Sequence, residues 1–246
     1  MDKISEIRNQ IASARSITVL TGAGISADSG IPTFRGEAGL WRNFKAEDLA
    51  TPEAFATNPR LVWEWYNWRR SIINSKIPNA GHHALVEMEK HCNDFTLITQ
   101  NVDGFHALAG SRNIVELHGN IWKVRCTQCG KISGNRDIPI QILPYCQKST
   151  GSAPGGCGGL LRPHIVWFGE ALDTTDIQKS IAALQSCHLM LVIGTSGVVW
   201  PAASFAEVAK SSGAYVVEVN LNPSARSNLV DEVLLGRGSA ILPRLL

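Results

Sequence analysis

A glycine-containing turn near the N-terminus has the residue types and spacing to bind a phosphate-bearing ligand. Gly22-x-Gly24-x-x-Ala27 follows a short β-branched run at residues 16–20, which is the arrangement of a dinucleotide-binding turn. Glycine allows the backbone to approach a pyrophosphate, and the N-terminus of the next helix favours anions through its dipole and unpaired N–H groups. Ordinary tight turns between a strand and a helix show the same pattern, so on its own it leaves both interpretations open.

Four cysteines could bind a metal ion. Cys126 and Cys129 are separated by two residues, a spacing that lets both thiolates ligate one zinc ion. Cys146 and Cys157 have ten residues between them, and such a loop is tolerable because the entropy cost of closing it grows slowly with length. We expect a structural four-cysteine zinc site without an open coordination position, with a disulfide or free thiols as the alternatives.

His118 could act as a general base. An imidazole with its ordinary pKa near 6.5 is neutral at cellular pH and can accept a proton. His118 follows a predicted strand at residues 114–117. A histidine that precedes a glycine is also compatible with a structural or a solvated role.

Alternating strands and helices must position these residues. Short apolar runs predict strands, and amphipathic segments between them predict helices. The predicted strands cover residues 16–20, 95–99, 189–193 and 215–219, and the predicted helices cover 3–14, 80–91, 176–186 and 202–211. This alternation indicates a Rossmann-like α/β fold, in which helices cover both faces of a parallel sheet. Ligands of such folds bind beyond the carboxyl ends of the strands.

Two segments interrupt the alternation and predict a smaller second domain. Residues 33–79 have a helical, tryptophan-rich pattern, and residues 121–162 carry four cysteines and many glycines, serines and prolines. We expect a helical insertion and a zinc module to form the small domain, and 1–32, 80–120 and 163–246 to form the Rossmann-like dinucleotide-binding domain. The acidic ribose ligand of a dehydrogenase would fall about 20 residues after the glycine turn. The sequence there, at 36–42, predicts a loop, which disfavours hydride transfer.

Composition argues against several classes of partner. The net charge is +2, from 23 basic and 21 acidic residues, so no basic excess indicates a nucleic acid or an anionic membrane. No apolar run approaches the roughly 18 residues that can span a bilayer, and the N-terminus is too polar for a signal peptide. We therefore expect a cytoplasmic protein without nucleic-acid or membrane partners, and we expect it to be a monomer.

Residues 22–36 closely resemble the cofactor-binding loop of the sirtuins, the NAD-dependent protein deacylases. Further motifs match that family in the same order: Thr99-Gln100-Asn101-Val102-Asp103, Leu117-His118-Gly119, Cys126-x-x-Cys129, Val166-Trp167-Phe168-Gly169-Glu170, Gly194-Thr195-Ser196 and Asn220. The resemblance covers residues 16–243. It implies the sirtuin fold, NAD consumed as a co-substrate, a structural zinc ion, and acylated lysine side chains of proteins as the substrates.

The resemblance also implies a set of NAD contacts. Ser26, Asn101 and Asp103 look like the polar lining of the nicotinamide and ribose pocket, although an Asx turn would also explain the last two. Phe34 and Arg35 resemble the residues that shield and position the phosphates or the departing nicotinamide, against a core phenylalanine and a solvated arginine as alternatives. The complete set of expected contacts is Gly22, Ala23, Gly24, Ile25, Ser26, Phe34, Arg35, Gln100, Asn101, Val102, Asp103, Gly194, Thr195, Ser196, Asn220, Leu221, Asn222 and Gly238.

The catalytic set that the resemblance implies is His118, Asn101 and Asp103. In that scheme the acyl oxygen of the substrate attacks the ribose C1′ and displaces nicotinamide. His118 then takes a proton from a ribose hydroxyl, which attacks the resulting imidate carbon. The products are free lysine, nicotinamide and O-acyl-ADP-ribose.

Two groups of residues are expected to bind the acylated peptide. The stretch Val166, Trp167, Phe168 and Gly169 looks like a strand that pairs with an extended peptide through backbone bonds, with a buried core strand as the alternative. Tyr66 and Arg69, on a predicted helix at 61–73, resemble the pair that marks the sirtuin class acting on succinyl-, malonyl- and glutaryl-lysine. A phenol and a guanidinium suit a carboxylate at the end of an acyl chain, and the small Ala27 is also typical of that class. A surface pair on an amphipathic helix is the other interpretation of Tyr66 and Arg69.

Two other functions compete with deacylation. A mono-ADP-ribosyltransferase could use the same fold and the same activated ribose with a different acceptor. A non-catalytic NAD-sensing or zinc-ribbon scaffold could bind partners without chemistry. The presence of His118, Asn101 and Asp103 argues against the scaffold, because a protein that only binds does not need a base.

Overall fold

The computed structural model describes residues 2–33, 44–147 and 157–246. The strands are β1 (Ser16–Thr21), β2 (Asp94–Thr99), β3 (Ile114–Glu116), β4 (Gly119–Cys126), β5 (Ile132–Gly134), β6 (Leu161–Ile165), β7 (Leu189–Ile193), β8 (Tyr215–Asn220) and β9 (Glu232–Leu235). The α-helices are α1 (Lys3–Ser13), α2 (Ala23–Ala27), α3 (Ala46–Leu49), α4 (Pro52–Thr57), α5 (Pro59–Asn74), α6 (Ala80–His91), α7 (Phe105–Ala109), α8 (Thr174–Ser186), α9 (Phe205–Ser211) and α10 (Gly238–Ile241). Short 3-10 helices lie at Ala202–Ser204, Ser227–Leu229 and Leu242–Leu245.

Six strands form a parallel sheet in the order β3-β2-β1-β7-β8-β9. The chain winds outward from β1 to β3 on one side and from β7 to β9 on the other, so the order reverses between β1 and β7. All residues of β1 and β7 are buried, as expected for central strands of a sheet covered on both faces. The fold class predicted from the alternation of strands and helices is confirmed.

Alternate residues of the strands enter two different cores. Val19 of β1 and Leu191 of β7 belong to a cluster that also contains residues of α1 and α6. Leu20 and Val192 belong to a second cluster with residues of α8 and α9. Because successive side chains of a strand point to opposite faces, each face of the sheet is covered by helices. The carboxyl ends of the strands remain the edge where a ligand can bind.

A second, three-stranded antiparallel sheet has the order β5-β4-β6, and the helices between residues 46 and 74 pack with it in a third core that contains Trp63 and Trp65. Arg70 of α5 joins the two parts. Its guanidinium donates to the carbonyls of Ile121 and Asn135, at 2.7–3.1 Å, and is only 1% exposed. These bonds compensate for burying a charged group that has lost its water.

The buried face of α5 combines apolar and polar side chains. The buried residues of the helix are Val62, Trp63, Trp65, Tyr66, Asn67, Arg70 and Ile73, and the partly buried Leu61 and Trp68 pack against the same core. Asn67 and Arg70 are buried because they hydrogen-bond the backbone of the small sheet and its loops.

The expected peptide-pairing strand also ends earlier than predicted. Strand β6 stops at Ile165, and Phe168 and Gly169 lie in a turn. The glutamate that follows explains the difference: the carboxylate of Glu170 accepts the N–H of Trp167 at 2.9 Å, and its own N–H donates to the Trp167 carbonyl. Residues 166–169 are therefore an irregular segment that follows the strand.

The predicted helix at 202–211 begins as a 3-10 turn and becomes α-helical at Phe205. Among the described residues, no helix combines the length and the apolar character needed to cross a membrane.

Candidate active site

The glycine turn contacts the loop after β7 at the point where the strand order reverses. A side-chain carbon at Gly24 would lie 2.6 Å from the Cα of Gly194, and one at Gly22 would lie 2.7 Å from the Gly194 carbonyl oxygen. The N–H groups of Gly22 and Gly24 donate to the carbonyls of Ile193 and Gly194, both at 2.9 Å. The glycines are required because the two backbones touch here, which builds a cleft at the carboxyl edge of the sheet.

A cavity with a volume of about 690 Å³ opens at this edge. Of the residues predicted from the sequence, its lining contains Gly22, Ala23, Gly24, Tyr66, Arg69, Gln100, Asn101, Val102, His118, Val166, Trp167, Phe168, Gly169, Gly194, Thr195, Ser196, Asn220, Leu221 and Asn222. Ile25, Ser26, Ala27, Asp103 and Gly238 do not belong to this lining. Phe34 and Arg35 lie outside the described residues.

His118 follows β3 and lines the cavity with a defined tautomer. Its Nδ1 lies 3.0 Å from the carbonyl oxygen of Gln100, which can only accept, so Nδ1 carries the proton. The other ring nitrogen, Nε2, then holds a lone pair. Burial lowers the pKa of His118 below 6.5, partly opposed by the bond to Gln100. The imidazole is therefore neutral at physiological pH and able to accept a proton.

Asn101 and Asp103 occupy different positions relative to the cavity. Asn101 lines it, and its side-chain amide donates to the carbonyl of Gly22 at 2.9 Å. Asp103 is buried behind the wall, where its carboxylate accepts from Ser26 Oγ at 2.8 Å and from the N–H of Phe105 at 2.8 Å. Burial is the largest influence on the pKa of Asp103 and raises it. Ser26 and Asp103 bind each other and support the wall from behind, and their contact with NAD stays a prediction.

Ile25, Ala27 and Gly238 do not line the cavity. Ile25 is completely buried in the core beneath the sheet. Gly238 packs beside Ile193 and Ile25, which lie 3.5–3.7 Å from where its side-chain carbon would be. Ala27 is partly buried in α2. Contact of these residues with the ligand or substrate stays a prediction.

The loop after β8 forms another part of the cavity wall. Asn220 donates to the Thr195 carbonyl at 2.7 Å and accepts the N–H of Leu221 at 3.1 Å. Beneath it, the buried carboxylate of Glu218 accepts from Ser224 and from Ser227 at 2.6–3.0 Å. This network ties the loop to the segment after β7, so Asn220 is held in place by a scaffold that spans two neighbouring strands.

Tyr66 and Arg69 line the cavity from the side of α5. Tyr66 is 2% exposed, and its hydroxyl accepts from Trp167 Nε1 at 2.8 Å, which leaves its own proton available for donation. Burial raises the pKa of Tyr66 to about 12, so the phenol stays protonated. Burial lowers the pKa of Arg69 from its usual value near 12.5, and its guanidinium lies 5.3 Å from the ring centre of Trp65. Tyr66 is thus buried and Arg69 is partly buried, contrary to the surface alternative.

The sequence did not reveal several residues of the cavity wall. Val199 and Trp200 extend it past the predicted tripeptide after β7, and Trp200 is 63% exposed. Glu47 of α3 adds a carboxylate. An apolar run after a glycine was the available signal for Val199 and Trp200, whereas nothing in the local sequence connects α3 to the distant strands.

The four predicted zinc ligands come together at the ends of β4 and β6. The Sγ atoms of Cys126, Cys129, Cys146 and Cys157 all lie within 4.8 Å of one another. The closest pairs are 3.4 Å and 3.8 Å apart, near the roughly 3.8 Å that tetrahedral zinc–thiolate bonds of 2.3 Å impose. Four soft thiolates with no open position fit a structural zinc ion, so the long loop between the last two cysteines does not prevent a four-cysteine site.

The buried histidines beneath the site give the fold a defined pH dependence. Burial lowers the pKa of His82 to about 4, and it lowers the pKa of His106 well below 6.5. Both bind a proton more readily in the unfolded chain, so the free energy of unfolding is highest above pH 6.5, where both rings are neutral in both states, and it falls as pH drops towards their folded pKa values. We expect the free energy of unfolding to fall by about 1.4 kcal/mol per pH unit for each of them between pH 6 and 5.

Urea unfolding of His82→Gln at pH 6 and pH 5 tests this expectation. The free energy of unfolding of the variant should fall less between the two pH values than that of the parent, because one of the two histidines is missing. His83→Gln is the matched control, because His83 is exposed on the same helix. Zinc release and the raised pKa of Asp103 affect all three proteins alike. Equal slopes for His82→Gln and the parent would contradict the assignment.

Comparison with known proteins agrees with the fold and the site. The Sir2 family model matches residues 22–201. An NAD-dependent protein deacylase of Aquifex aeolicus (strain VF5) is 52% identical over 217 residues, covering 88% of this chain and 87% of that protein. The NAD-dependent protein deacylase sirtuin-5, mitochondrial, of Canis lupus familiaris is 42% identical over 250 residues, covering 92% and 79%. A solved Sir2 homologue in complex with NAD has a TM-score of 0.91 at 40% identity, covering 100% of this chain and 92% of that one.

The chain belongs to the Sir2 family. Its enzyme class is NAD-dependent protein deacylase, with NAD as the co-substrate. The resemblance found in the motifs is thereby confirmed.

Proposed function

We propose that this enzyme removes acetyl groups and, in particular, dicarboxylic acyl groups such as succinyl and malonyl from lysine side chains, with O-acyl-ADP-ribose as a product. The observation that carries the proposal is the hydrogen bond from His118 Nδ1 to the Gln100 carbonyl. It leaves Nε2 as a proton acceptor in a cavity that also holds the glycine turn and the acyl-side residues.

NAD supplies a ribose–nicotinamide bond that the acyl oxygen of the substrate can break. The protein contributes the groups around it. His118 Nε2 accepts the proton of a ribose hydroxyl, so that this oxygen can attack the acyl carbon, and it later returns a proton as lysine leaves. Asn101 offers its side-chain oxygen to the ribose side of the cavity while its amide nitrogen stays bound to Gly22.

The acyl group lies, in this proposal, between α5 and the segment after β6. Tyr66 is fixed by Trp167 and donates its hydroxyl proton, and Arg69 supplies a guanidinium in a setting with little water. A carboxylate that meets a guanidinium and a phenol gains charge-assisted hydrogen bonds. Residues 166–169 border the same channel and are positioned to contact the peptide backbone. Acylated proteins of the cytoplasm are the proposed substrates.

Arg69→Met is expected to reduce kcat/KM for a succinyl-lysine peptide about ten- to a hundredfold, while kcat/KM for the acetyl peptide changes much less. Loss of a buried charge-assisted contact weakens transition-state binding by about 1.5–3 kcal/mol. An acetyl group has no carboxylate and does not make this contact, so its turnover does not depend on it. Arg60→Met is the matched control, because Arg60 is exposed at the start of the same helix. Equal losses on both peptides would reject this role for Arg69.

The overall reaction is tested by nicotinamide release measured side by side on acetyl-, succinyl- and malonyl-lysine peptides, with mass spectrometry of the products. Deacylation yields O-acyl-ADP-ribose and free lysine. Protein that gains ADP-ribose would instead indicate a mono-ADP-ribosyltransferase. Binding of NAD without nicotinamide release on any of the three peptides would indicate a non-catalytic protein.

A further inference from the structure

A chain of buried hydrogen bonds lies beneath the cavity wall and ends at Asn101. The N–H of Asn101 donates to Thr99 Oγ1 at 3.0 Å, and Thr21 Oγ1 donates to the same oxygen at 2.8 Å. His106 Nε2 lies 2.9 Å from Thr21 Oγ1. The three supporting side chains are at most 4% exposed, so no water competes for these bonds.

The direction of donation along these hydrogen bonds fixes the tautomer of His106. A threonine hydroxyl has one proton, and that of Thr21 is given to Thr99, so Thr21 must accept from His106. Nε2 of His106 therefore carries the proton, and Nδ1 holds a lone pair. Burial, together with the neighbouring His82, keeps the pKa of His106 well below 6.5. The ring is a neutral donor directed at Thr21.

The second ring nitrogen of His106, Nδ1, makes histidine unfavourable at this position for the stability of the fold. Among the described residues, His106 Nδ1 is a buried polar atom without a hydrogen-bond partner. His106 also lines a small cavity of about 10 Å³ together with Asn101 and Asp103, which is room for about one water molecule. A buried acceptor without a protein donor is unfavourable for folding, and an apolar side chain of similar size would avoid that penalty.

Asn101 separates this small cavity from the large one, because it lines both. Its backbone is held from below by Thr99, and its side chain is held from the side by Gly22. A displacement of the backbone would move the amide relative to the ribose side of the cavity. Small misplacements of groups that orient a reacting substrate have large effects on rate.

We propose that His106 is a positioning residue, which acts through Thr21 and Thr99 to hold Asn101 in the geometry needed for the reaction. The inference rests on the proposed function, in which Asn101 faces the ribose and nicotinamide. We expect its effect mainly on turnover, because the loops after β7 and β8, which supply the other NAD contacts of the proposed function, lie apart from this chain of hydrogen bonds.

The test uses steady-state kinetics and thermal unfolding of the full-length protein with an acylated peptide. His106→Met removes the donor and keeps an apolar side chain of similar size. His106→Gln returns an N–H donor at a comparable distance from the backbone. Thr21→Val breaks the next link. Thr18→Val is its matched control, since Thr18 lies buried on the same strand and donates to the Ala183 carbonyl, at 3.2 Å, outside this chain of hydrogen bonds.

We expect His106→Met to lower kcat about ten- to a hundredfold, with KM for NAD within about twofold of the parent and a Tm equal to or above it. His106→Gln should restore most of kcat. Thr21→Val should lower kcat in the same way, and the double variant with His106→Met and Thr21→Val should show no further loss of kcat. Thr18→Val should keep the parent's kcat.

The inference fails if His106→Met retains the parent's kcat. It also fails if the loss of kcat accompanies a fall in Tm and is shared by His106→Gln, or if Thr18→Val slows turnover as much as Thr21→Val. The parent enzyme serves as the reference for the proposed function itself. Absence of turnover by the parent would overturn that function, whereas an active parent with an equally active His106→Met overturns only the positioning role.

Discussion

A His118→Ala protein is expected to deacylate peptides about 10²- to 10⁴-fold more slowly than the parent, the usual contribution of a positioned general base. The structure gives the reason: Nδ1 is committed to the Gln100 carbonyl, and burial keeps the ring neutral, so Nε2 accepts the proton. Alanine leaves the cavity without that acceptor. The loss should appear in kcat, since the glycine turn, which we propose to bind the phosphates, is unchanged.

His83→Ala is a suitable control for this variant. His83 is exposed on α6, and it does not belong to the cavity lining. It should keep the parent's kinetics and Tm. A His118→Ala protein with a normal Tm but a slow kcat therefore identifies a chemical role, and a fall in both quantities would instead point to damage of the fold.

Removal of the metal is expected to have the second large effect. Cys146→Ser, or treatment with a strong chelator, should unfold the small sheet and abolish activity. Structural zinc sites contribute an apparent 10–16 kcal/mol in small zinc-binding peptides, comparable to the total stability of a typical domain, about 5–15 kcal/mol. Activity is lost with the sheet because Tyr66 and Trp167 pack in the same core as β4.

Zinc content, measured by atomic absorption, should be one ion per chain in the parent and none in Cys146→Ser. Cys92→Ser is the matched control, since Cys92 lies apart from the cluster, at the edge of a hydrophobic core, and its thiol donates to the carbonyls of Arg15 and Asp94. Its zinc content and Tm should match those of the parent. A metal-free parent that remains folded and active would support free thiols or a disulfide and exclude the zinc site.

The sequence predicted the sheet well because its central strands are fully buried and therefore continuously apolar. Residues 189–193 and the helix at 80–91 have the predicted bounds. The close contact of Gly24 with Gly194 explains why the glycine turn was recognisable: no side chain fits there. The motif strings also placed His118, Asn101 and the cysteines correctly along the chain.

The features that sequence reasoning missed depend on tertiary hydrogen bonds. Arg70 is a charged residue of α5, yet it is buried because three backbone carbonyls from the small sheet and its loop converge on it. The bonds of Asp103 with Ser26 and Phe105 behind the wall join residues that the sequence pattern alone does not pair. His106 carried no local signal, since its partner Thr21 lies 85 residues away in the chain.

The most direct test of the account compares two products of one reaction: nicotinamide and O-acyl-ADP-ribose, measured together after mixing the His118→Ala protein with NAD and a succinyl-lysine peptide. If the imidazole at position 118 acts after nicotinamide has left, nicotinamide should still be released, while O-acyl-ADP-ribose and free lysine accumulate at least about a hundredfold more slowly than with the parent. Formation of O-acyl-ADP-ribose at the parent's rate would contradict the role of His118 as the base.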